Sequence, residues 1–477
     1  MIRKVLAANR GEIAIRIFTT LREMGIHTVA VYTDPDAHAL HVRSADESIR
    51  IESYLQPDEI VSAARQAGAD AIHPGYGFLS ENTSLSTACE AAGITFIGPR
   101  TDTIRRMGDK LESKRLMEKA GVPVVPSWDR NPHDSEFPVL VKAVGGGGGK
   151  GMRLVEEPSQ LAEAKAAASR EAGKAFGDDR VFVEKYVRNP RHIEFQILGD
   201  AHGNAVHVFE RECSIQRRHQ KVIEETPSPA LTPGLRARMG DAAVAAAKAV
   251  GYVNAGTVEF IVGPDGRFYF LEMNTRLQVE HPVTEMTTGL DLVREQIRIA
   301  EGNPLSFTQS DLRQTGHSIE CRIYAEVPEE QFRPDIGTVA VYRPPSGAGV
   351  RLDSGIEENS EVGFHYDPML AKLVVWAGSR SQAIHKMQRA LSEFVLLGVR
   401  NNIDFLHRVI SHPEFGEGKI DTHFLERHSA LLRPATEEVP VEALLAASLS
   451  SARTPAVTGS ATAAFTDVWT SGPWRIS

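Results

Sequence analysis

Cysteine is scarce in this chain of 477 residues: Cys89, Cys213 and Cys321 stand far apart, and no two have CxxC spacing. That excludes a disulfide framework and suits a reducing compartment. Long apolar runs are missing too. The first twelve residues lead straight into a strand-like segment, with no signal-peptide core and no membrane span, so the cytoplasm is the expected location. Positive charge is outweighed, with 53 Lys and Arg against 62 Asp and Glu and a formal net charge of −9. This argues against a general nucleic-acid or anionic-membrane binder, while leaving room for a local basic pocket. What is present is ordinary for a globular chain, at 42% hydrophobic and 24% charged residues. The length exceeds one core, so two to four domains are expected.

Along residues 1–110, short apolar runs (4–8, 28–32, 69–72, 94–97) alternate with helical patterns (13–24, 57–67). Strands alternating with helices imply βαβ units and a doubly wound parallel sheet. From about Gly121 the rhythm changes: 122–125, 138–144 and 181–186 read as strands and 159–172 as an Ala-rich helix, an α+β insertion. Strands dominate 192–282, with a hairpin signal at Gly263-Pro264-Asp265-Gly266. Residues 317–432 form a mixed block, starting with a strand at 318–324 and ending in amphipathic helices at 382–396 and 402–410. The remainder turns to Ala, Ser and Thr and reads as a linker followed by a piece of something else.

The segment Glu272-Met273-Asn274-Thr275-Arg276-Leu277-Gln278-Val279-Glu280 alternates polar and other residues. If it is extended, Glu272, Asn274, Arg276, Gln278 and Glu280 share one face. Such a row makes a solvated sheet surface unless something binds there. The hairpin partner carries Glu259 on the same face, and like charges across a strand pair repel. Two carboxylates and an Asn oxygen suit Mg²⁺, whose octahedron would be completed by water and phosphate oxygens, which points to nucleotide. Five glycines, 145–149, followed by Lys150-Gly151, come after a strand bearing Lys142. This is no P-loop, since Gly151 stands where Ser or Thr would follow the lysine. It still allows main-chain N–H groups to close over an anion, and Lys142 can hold a phosphate as a point charge. The cation-rich stretch 210–221 lacks apolar periodicity and reads as a loop or edge. His73-Pro74-Gly75-Tyr76-Gly77 through Asn82, like Asn9-Arg10-Gly11-Glu12, suits a βα loop at the carboxyl edge of a parallel sheet, where ligands sit. His73 by itself reads as structural.

Six strings, in order and spacing, carry a resemblance: Ala8 to Ala14, His73 to Asn82, Met107-Gly108-Asp109-Lys110, Gly145 to Met152, Gln216-Arg217-Arg218-His219-Gln220-Lys221, and Glu272 to Glu285. Over roughly residues 1–430 the chain resembles the biotin carboxylase subunits and domains of biotin-dependent carboxylases, and more closely the acyl-CoA carboxylase α chains. The resemblance implies an N-terminal domain at 1–110, an ATP-grasp domain at 111–316 with a mobile lid at about 126–187, a C-terminal domain at 317–432, and a linker with the possible start of a connecting domain at 433–477. It implies ATP with Mg²⁺ or Mn²⁺, bicarbonate as substrate and carrier-bound biotin as acceptor. Lys110 and Lys142 would hold phosphates, with Gly148 and Gly149 closing over them. Glu184, Lys185, Tyr186 and Val187 would meet adenine, His192 and Gln216 the ribose, and His219 the phosphates. Glu259, Glu272 and Asn274 would bind the metal. Lys221, Arg276, Gln278 and the main chain of Val279 would hold bicarbonate, Glu280 would be the general base, and Arg351 would stabilise the biotin enolate.

The same resemblance implies a homodimer, a carboxyltransferase partner and a separate carrier domain, since no Met-Lys-Met biotinylation motif is present. The stretch between Val125 and Phe137 is shorter than the family usually shows, and an expected helix is missing there. Another ATP-grasp ligase, such as a carbamoyl phosphate synthetase half or a purine-pathway carboxylase, shares the metal strand. A non-catalytic nucleotide-binding regulator is a third reading.

Overall fold

The computed structural model describes residues 1–128, 130–145, 151–218 and 220–433, with a few positions between 441 and 448. Residues Met1–Arg433 form one compact unit. Pro434–Ser477 form a second, most of which, with the connecting-domain expectation, lies outside the described residues.

The first strands are β1 (Lys4–Ala7), β2 (His27–Tyr32), β3 (Glu47–Arg50), β4 (Ala71–His73) and β5 (Thr95–Phe96). They make a parallel sheet in the order β3-β2-β1-β4-β5. Helices such as Gly11–Glu23 and Pro57–Ala67 cover it, which is why its central strands are apolar on both faces. The order reverses between β1 and β4, so the loops after these two strands open on the crevice where ligands bind in such sheets. Asn9 ties the loops together, its Nδ2 donating to Pro74 O at 2.8 Å and Tyr76 O at 2.7 Å. Gly75 makes this approach possible: its φ is +64°, and a Cβ there would lie 2.8 Å from Asn9 Nδ2.

Next come β6 (Ser127–Trp128), β7 (Val139–Ala143), β8 (Arg153–Val155) and β9 (Val181–Lys185), in the order β6-β9-β7-β8. Val139, Val141, Val155 and Val183 pack with Leu161 and Ala168 of the helix Leu161–Phe176. The alternate positions, Leu140 and Lys142, face away from that core, as the period of two requires. The expected strand at 122–125 is no strand, contributing one bridge from Val124 to Phe270. Between 126 and 138 the described residues hold no α-helix, only a short turn of 3-10 helix at Asp134–Glu136.

The largest layer is an eight-stranded antiparallel sheet, built from β10 (Arg191–Gly199), β11 (Ala205–Arg217), β12 (Gln220–Thr226), β13 (Asn254–Val262), β14 (Phe268–Asn274), β15 (His317–Tyr324), β16 (Val350–Ser354) and β17 (Met369–Ala377). Its order is β14-β13-β10-β11-β12-β15-β17-β16, so it runs without a break across position 316. One face is apolar: Ile193, Phe195, Val258 and Phe260 pack on the helix Pro233–Ala249. That helix, capped by Thr232 and started by Pro233, interrupts a stretch in which strands were expected to dominate. The other face carries charge, with Glu272, Glu259, Glu194 and Arg211 in cross-strand register. The stretch 210–221 is not a loop or edge but the β11–β12 hairpin in the interior of this sheet. Its polar pattern marks a buried charged face rather than solvent.

His73 is structural. Its Nδ1 accepts the Gly75 N–H at 3.0 Å and its Nε2 lies 3.2 Å from Gln296 Oε1. Burial lowers its pKa to about 4 against the partial support of Gln296, and burial likewise lowers His41 to about 4. The folded state therefore holds fewer protons than the unfolded chain below pH 6.5, and stability is lost as pH falls toward 4. Chemical denaturation of His73→Gln beside the parent at pH 7 and pH 4.5 is expected to remove about 3 kcal/mol or less of that fall. An unchanged slope would assign the loss elsewhere.

Candidate active site

β14 ends at Asn274, so the polar alternation expected to continue to Glu280 stops there. β14 is a sheet edge, and the Thr275 N–H donates to Glu81 Oε1 at 2.9 Å instead of to a strand. The chain turns through 275–280 into the helix His281–Thr288. The side chains converge despite the loss of regular alternation. Arg276 donates from Nε to Glu81 Oε2 at 2.7 Å, from Nη1 to Gln278 Oε1 at 3.0 Å and from Nη2 to Asn274 Oδ1 at 3.2 Å. Asn274 and Gln278 donate their amides to Glu259 Oε1 at 2.8 and 3.0 Å.

Lys221 is the centre of this group. Its ammonium donates to Glu259 Oε1 at 2.8 Å, to Glu280 Oε1 at 2.6 Å and to Glu194 Oε2. Arg322 takes the other oxygen of Glu280 at 2.9 Å. Burial pushes the Glu280 carboxyl up, but Lys221, Arg322 and Arg211 together hold it well below the usual carboxylate range. Burial likewise lowers Lys221, yet the three carboxylates hold it well above its ordinary value. Glu272 behaves differently: burial and the charge of Glu259 raise it, while Lys110 offsets only part. Two opposed carboxylates, one of them destabilised as an anion, suit a divalent cation. Two other metal-ligating sets come together among the described residues, His192–Glu194–Glu259 and Glu194–Cys213–Glu280. In both, Lys221 already neutralises the carboxylates.

Lys221, Glu259, Glu272, Asn274, Arg276 and Gln278 line a cavity of about 1220 Å³ bounded by the four-stranded sheet, the eight-stranded sheet and the β1 and β4 loops, whereas Glu280 is fully buried. Lys110, Lys142, Lys185, Val187, His192 and Gln216 all line it. Lys142 Nζ lies 3.0 Å from Glu184, which also meets Lys114 at 3.3 Å. Glu184 is thus committed to two ammonium groups, of which Lys142 lines the cavity. Gln216 Nε2 lies 2.8 Å from His192 Nδ1, and His192 Nε2 lies 2.8 Å from Glu259 Oε2. Gly148, Gly149 and His219 lie outside the described residues.

Arg351 is placed apart from the other expected residues. It lines a second cavity of about 540 Å³, where it forms a two-toothed pair with Asp353 at 2.8 Å and meets Glu285 at 2.8 Å. Glu12 lines both cavities, and burial raises its carboxyl to about 7 although Lys372 opposes this. Several partners escaped the sequence reading. Glu81 lay in a loop already singled out, but nothing in its spacing announced Arg276. Arg322 and Lys372 were visible only as cations inside apolar strands, a signal of buried pairing.

Lysines on one wall, opposed carboxylates on another, and an arginine beside an ionised carboxylate suit a polyphosphate–metal complex and a small planar anion. Comparison with known proteins agrees. Residues 1–104 match the biotin carboxylase N-terminal domain, 109–308 the ATP-binding domain of the carbamoyl-phosphate synthase L chain, and 320–427 the biotin carboxylase C-terminal domain. The chain is 52% identical over 444 residues to a pyruvate carboxylase subunit of Methanothermobacter thermautotrophicus, covering 90% of each. It is 53% identical over 455 residues to the α chain of the mitochondrial methylcrotonoyl-CoA carboxylase of Oryza sativa, covering 91% of this chain but 62% of that one. The biotin carboxylase domain dimer of the Hydrogenobacter thermophilus 2-oxoglutarate carboxylase, solved with MgADP, ADP and bicarbonate, superposes with a TM-score of 0.88 at 47% identity, over 91% of this chain and 100% of that one. The chain belongs to the biotin carboxylase family, ATP-grasp ligases that carboxylate biotin at the expense of ATP.

Proposed function

We propose that this chain catalyses the first half-reaction of a biotin-dependent acyl-CoA carboxylase, the ATP-dependent transfer of bicarbonate carbon to biotin on a carrier domain. The observation that carries the reading is the convergence of Arg276, Gln278, Lys221 and Glu280 beside the opposed Glu259–Glu272 pair. Lys110 and Lys142 hold the phosphates of ATP. Glu184, Lys185, Tyr186 and Val187 border the adenine, and His192 and Gln216 the ribose. Glu259, Glu272 and Asn274 would hold Mg²⁺ or Mn²⁺, which neutralises phosphate charge when bound. Residues of about 126–187 act as a lid that excludes water, within an ATP-grasp domain at 111–316 between domains at 1–110 and 317–432.

Bicarbonate is a poor nucleophile, so positioning does most of the work. The guanidinium of Arg276 binds it through parallel N–H bonds, with Lys221, Gln278 and the Val279 N–H completing the cradle. One bicarbonate oxygen attacks the γ-phosphorus, ADP leaves, and the hydroxyl proton passes to Glu280, which is already ionised. Carboxyphosphate then divides into CO₂ and phosphate. The phosphate so released takes the biotin N1′ proton while Arg351 stabilises the negative ureido oxygen, and N1′ then attacks the carbon of CO₂ to form carboxybiotin. Because Arg351 sits in the adjoining cavity, the ureido group is read as lying near Glu12, which lines both.

The carrier domain and carboxyltransferase are proposed partners, and the homodimer rests on the dimeric relative. No described helix is long and apolar enough to cross a membrane. A cytoplasmic location is supported by three free, buried thiols.

ADP release is expected to depend on bicarbonate and to rise with free biotin; turnover indifferent to both would sink the reading. Arg276→Lys keeps the charge but loses the fork, and kcat/KM for bicarbonate should fall by roughly 10- to 100-fold with the KM for ATP nearly unchanged. Glu272→Gln should raise the Mg²⁺ concentration for half-activity by about tenfold or more, the scale on which even outer partners of a metal act. A wild-type Mg²⁺ curve would remove Glu272 from the metal site.

A further inference from the structure

Lys372 lies in the middle of β17 with no exposure, between the fully buried Leu373 and Ala371. An ammonium taken from water loses several kcal/mol of hydration, so its protons must be met inside the protein. Two carboxylates approach it, Glu12 Oε2 at 3.2 Å and Asp353 Oδ2 at 3.7 Å. Its hydrogen bond, however, goes to a neutral main-chain oxygen, that of Val279, at 3.0 Å. The Val279 carbonyl is the shortest of these three oxygen contacts.

Val279 stands between Gln278 and Glu280 in the irregular turn that follows β14. The turn's own main-chain bonds are long: Gln278 O and Glu280 O are met at 3.4 Å by the N–H groups of His281 and Val283. Side chains of the sheet hold it instead. Lys372 is directly opposite Arg322 in the β15–β17 pairing, and Arg322 grips Glu280 Oε2 at 2.9 Å. Neighbouring cations on adjacent strands thus hold successive residues of one turn. Because a peptide unit is planar, fixing the Val279 carbonyl also fixes the orientation of the Glu280 N–H and the path by which Glu280 enters its helix.

We propose that Lys372 is a positioning residue for the bicarbonate subsite, holding the Val279 carbonyl and with it the path of the turn that carries Gln278, Val279 and Glu280. This rests on the bicarbonate reading of Arg276, Gln278 and Glu280 given above. Among the described residues Lys372 meets the Val279 carbonyl, Glu12, Asp353 and the Tyr76 ring, and forms no ion pair or hydrogen bond with Glu184, Glu259 or Glu272. Loosening the turn therefore acts on bicarbonate and spares ATP.

Steady-state kinetics on Lys372→Met, Lys372→Gln and Arg276→Ala test this, with bicarbonate and ATP varied separately and free biotin as acceptor. Lys372→Met should raise the KM for bicarbonate about tenfold while the KM for ATP stays within about twofold. Lys372→Gln, which can still donate to the carbonyl, should recover part of the loss. If Arg276→Ala raises the bicarbonate KM and Lys372→Met leaves it unchanged, or moves both KM values alike, the positioning role is overturned and the subsite stands. If Arg276→Ala also leaves it unchanged, the subsite reading itself has failed. If neither Lys372 variant folds, Lys372 is a structural ion-pair partner and the proposal falls.

Discussion

One ammonium group, that of Lys221, stands among three buried carboxylates, and the active-site region is arranged around that fact. Glu194, Glu259 and Glu280 would repel one another if left unpaired, and each has lost its hydration. Arg211 supports Glu194 from one side at 2.5 Å, and Arg322 supports Glu280 from the other. Charges therefore alternate along Arg211, Glu194, Lys221, Glu280 and Arg322. Removing any member strips a buried neighbour of one of its counter-charges, so the set behaves as a unit. For the proposed chemistry the consequence is that Glu280 is held ionised by Lys221 and Arg322, leaving little reorganisation for the reacting state.

Two sheets of different kinds bring substrates to this unit. The parallel sheet contributes loops at its switch point, tied by Asn9 and made close by Gly75. The antiparallel sheet contributes a charged face whose reverse is an ordinary apolar core on the helix Pro233–Ala249. Glu81 joins them, reaching from the β4 loop to both Thr275 and Arg276. A helix-poor connection at 126–138 leads into the small sheet over the cavity, whose core still closes with the helix Leu161–Phe176. The pairing of β7 with β9 leaves Lys142 and Glu184 facing the cavity together.

Much of this was legible in residue patterns. The parallel sheet followed from apolar runs alternating with helical ones, and Glu259 opposite Glu272 followed from the hairpin turn between them. Other readings failed for identifiable reasons. Polar density at 210–221 looked like solvent exposure because its pairing partners, Glu194, Glu326 and others, are distant in sequence. The polar alternation after Asn274 looked like a continuing strand because periodicity carries no information about whether a neighbouring strand exists.

The sequence by itself determined which residue types are available and which face of each strand they occupy. It also determined family membership, because motif order survives without coordinates. Tertiary structure alone decided who meets whom: Glu81 with Arg276, Lys372 with Val279, Arg322 with Glu280, and Arg351 in a cavity of its own. The physical reason is one of range. Backbone geometry dictates side-chain direction within a few residues, whereas the pairing of buried charges depends on register and loop paths over tens to hundreds of residues, where only the closed structure shows which ammonium is left to satisfy which oxygen.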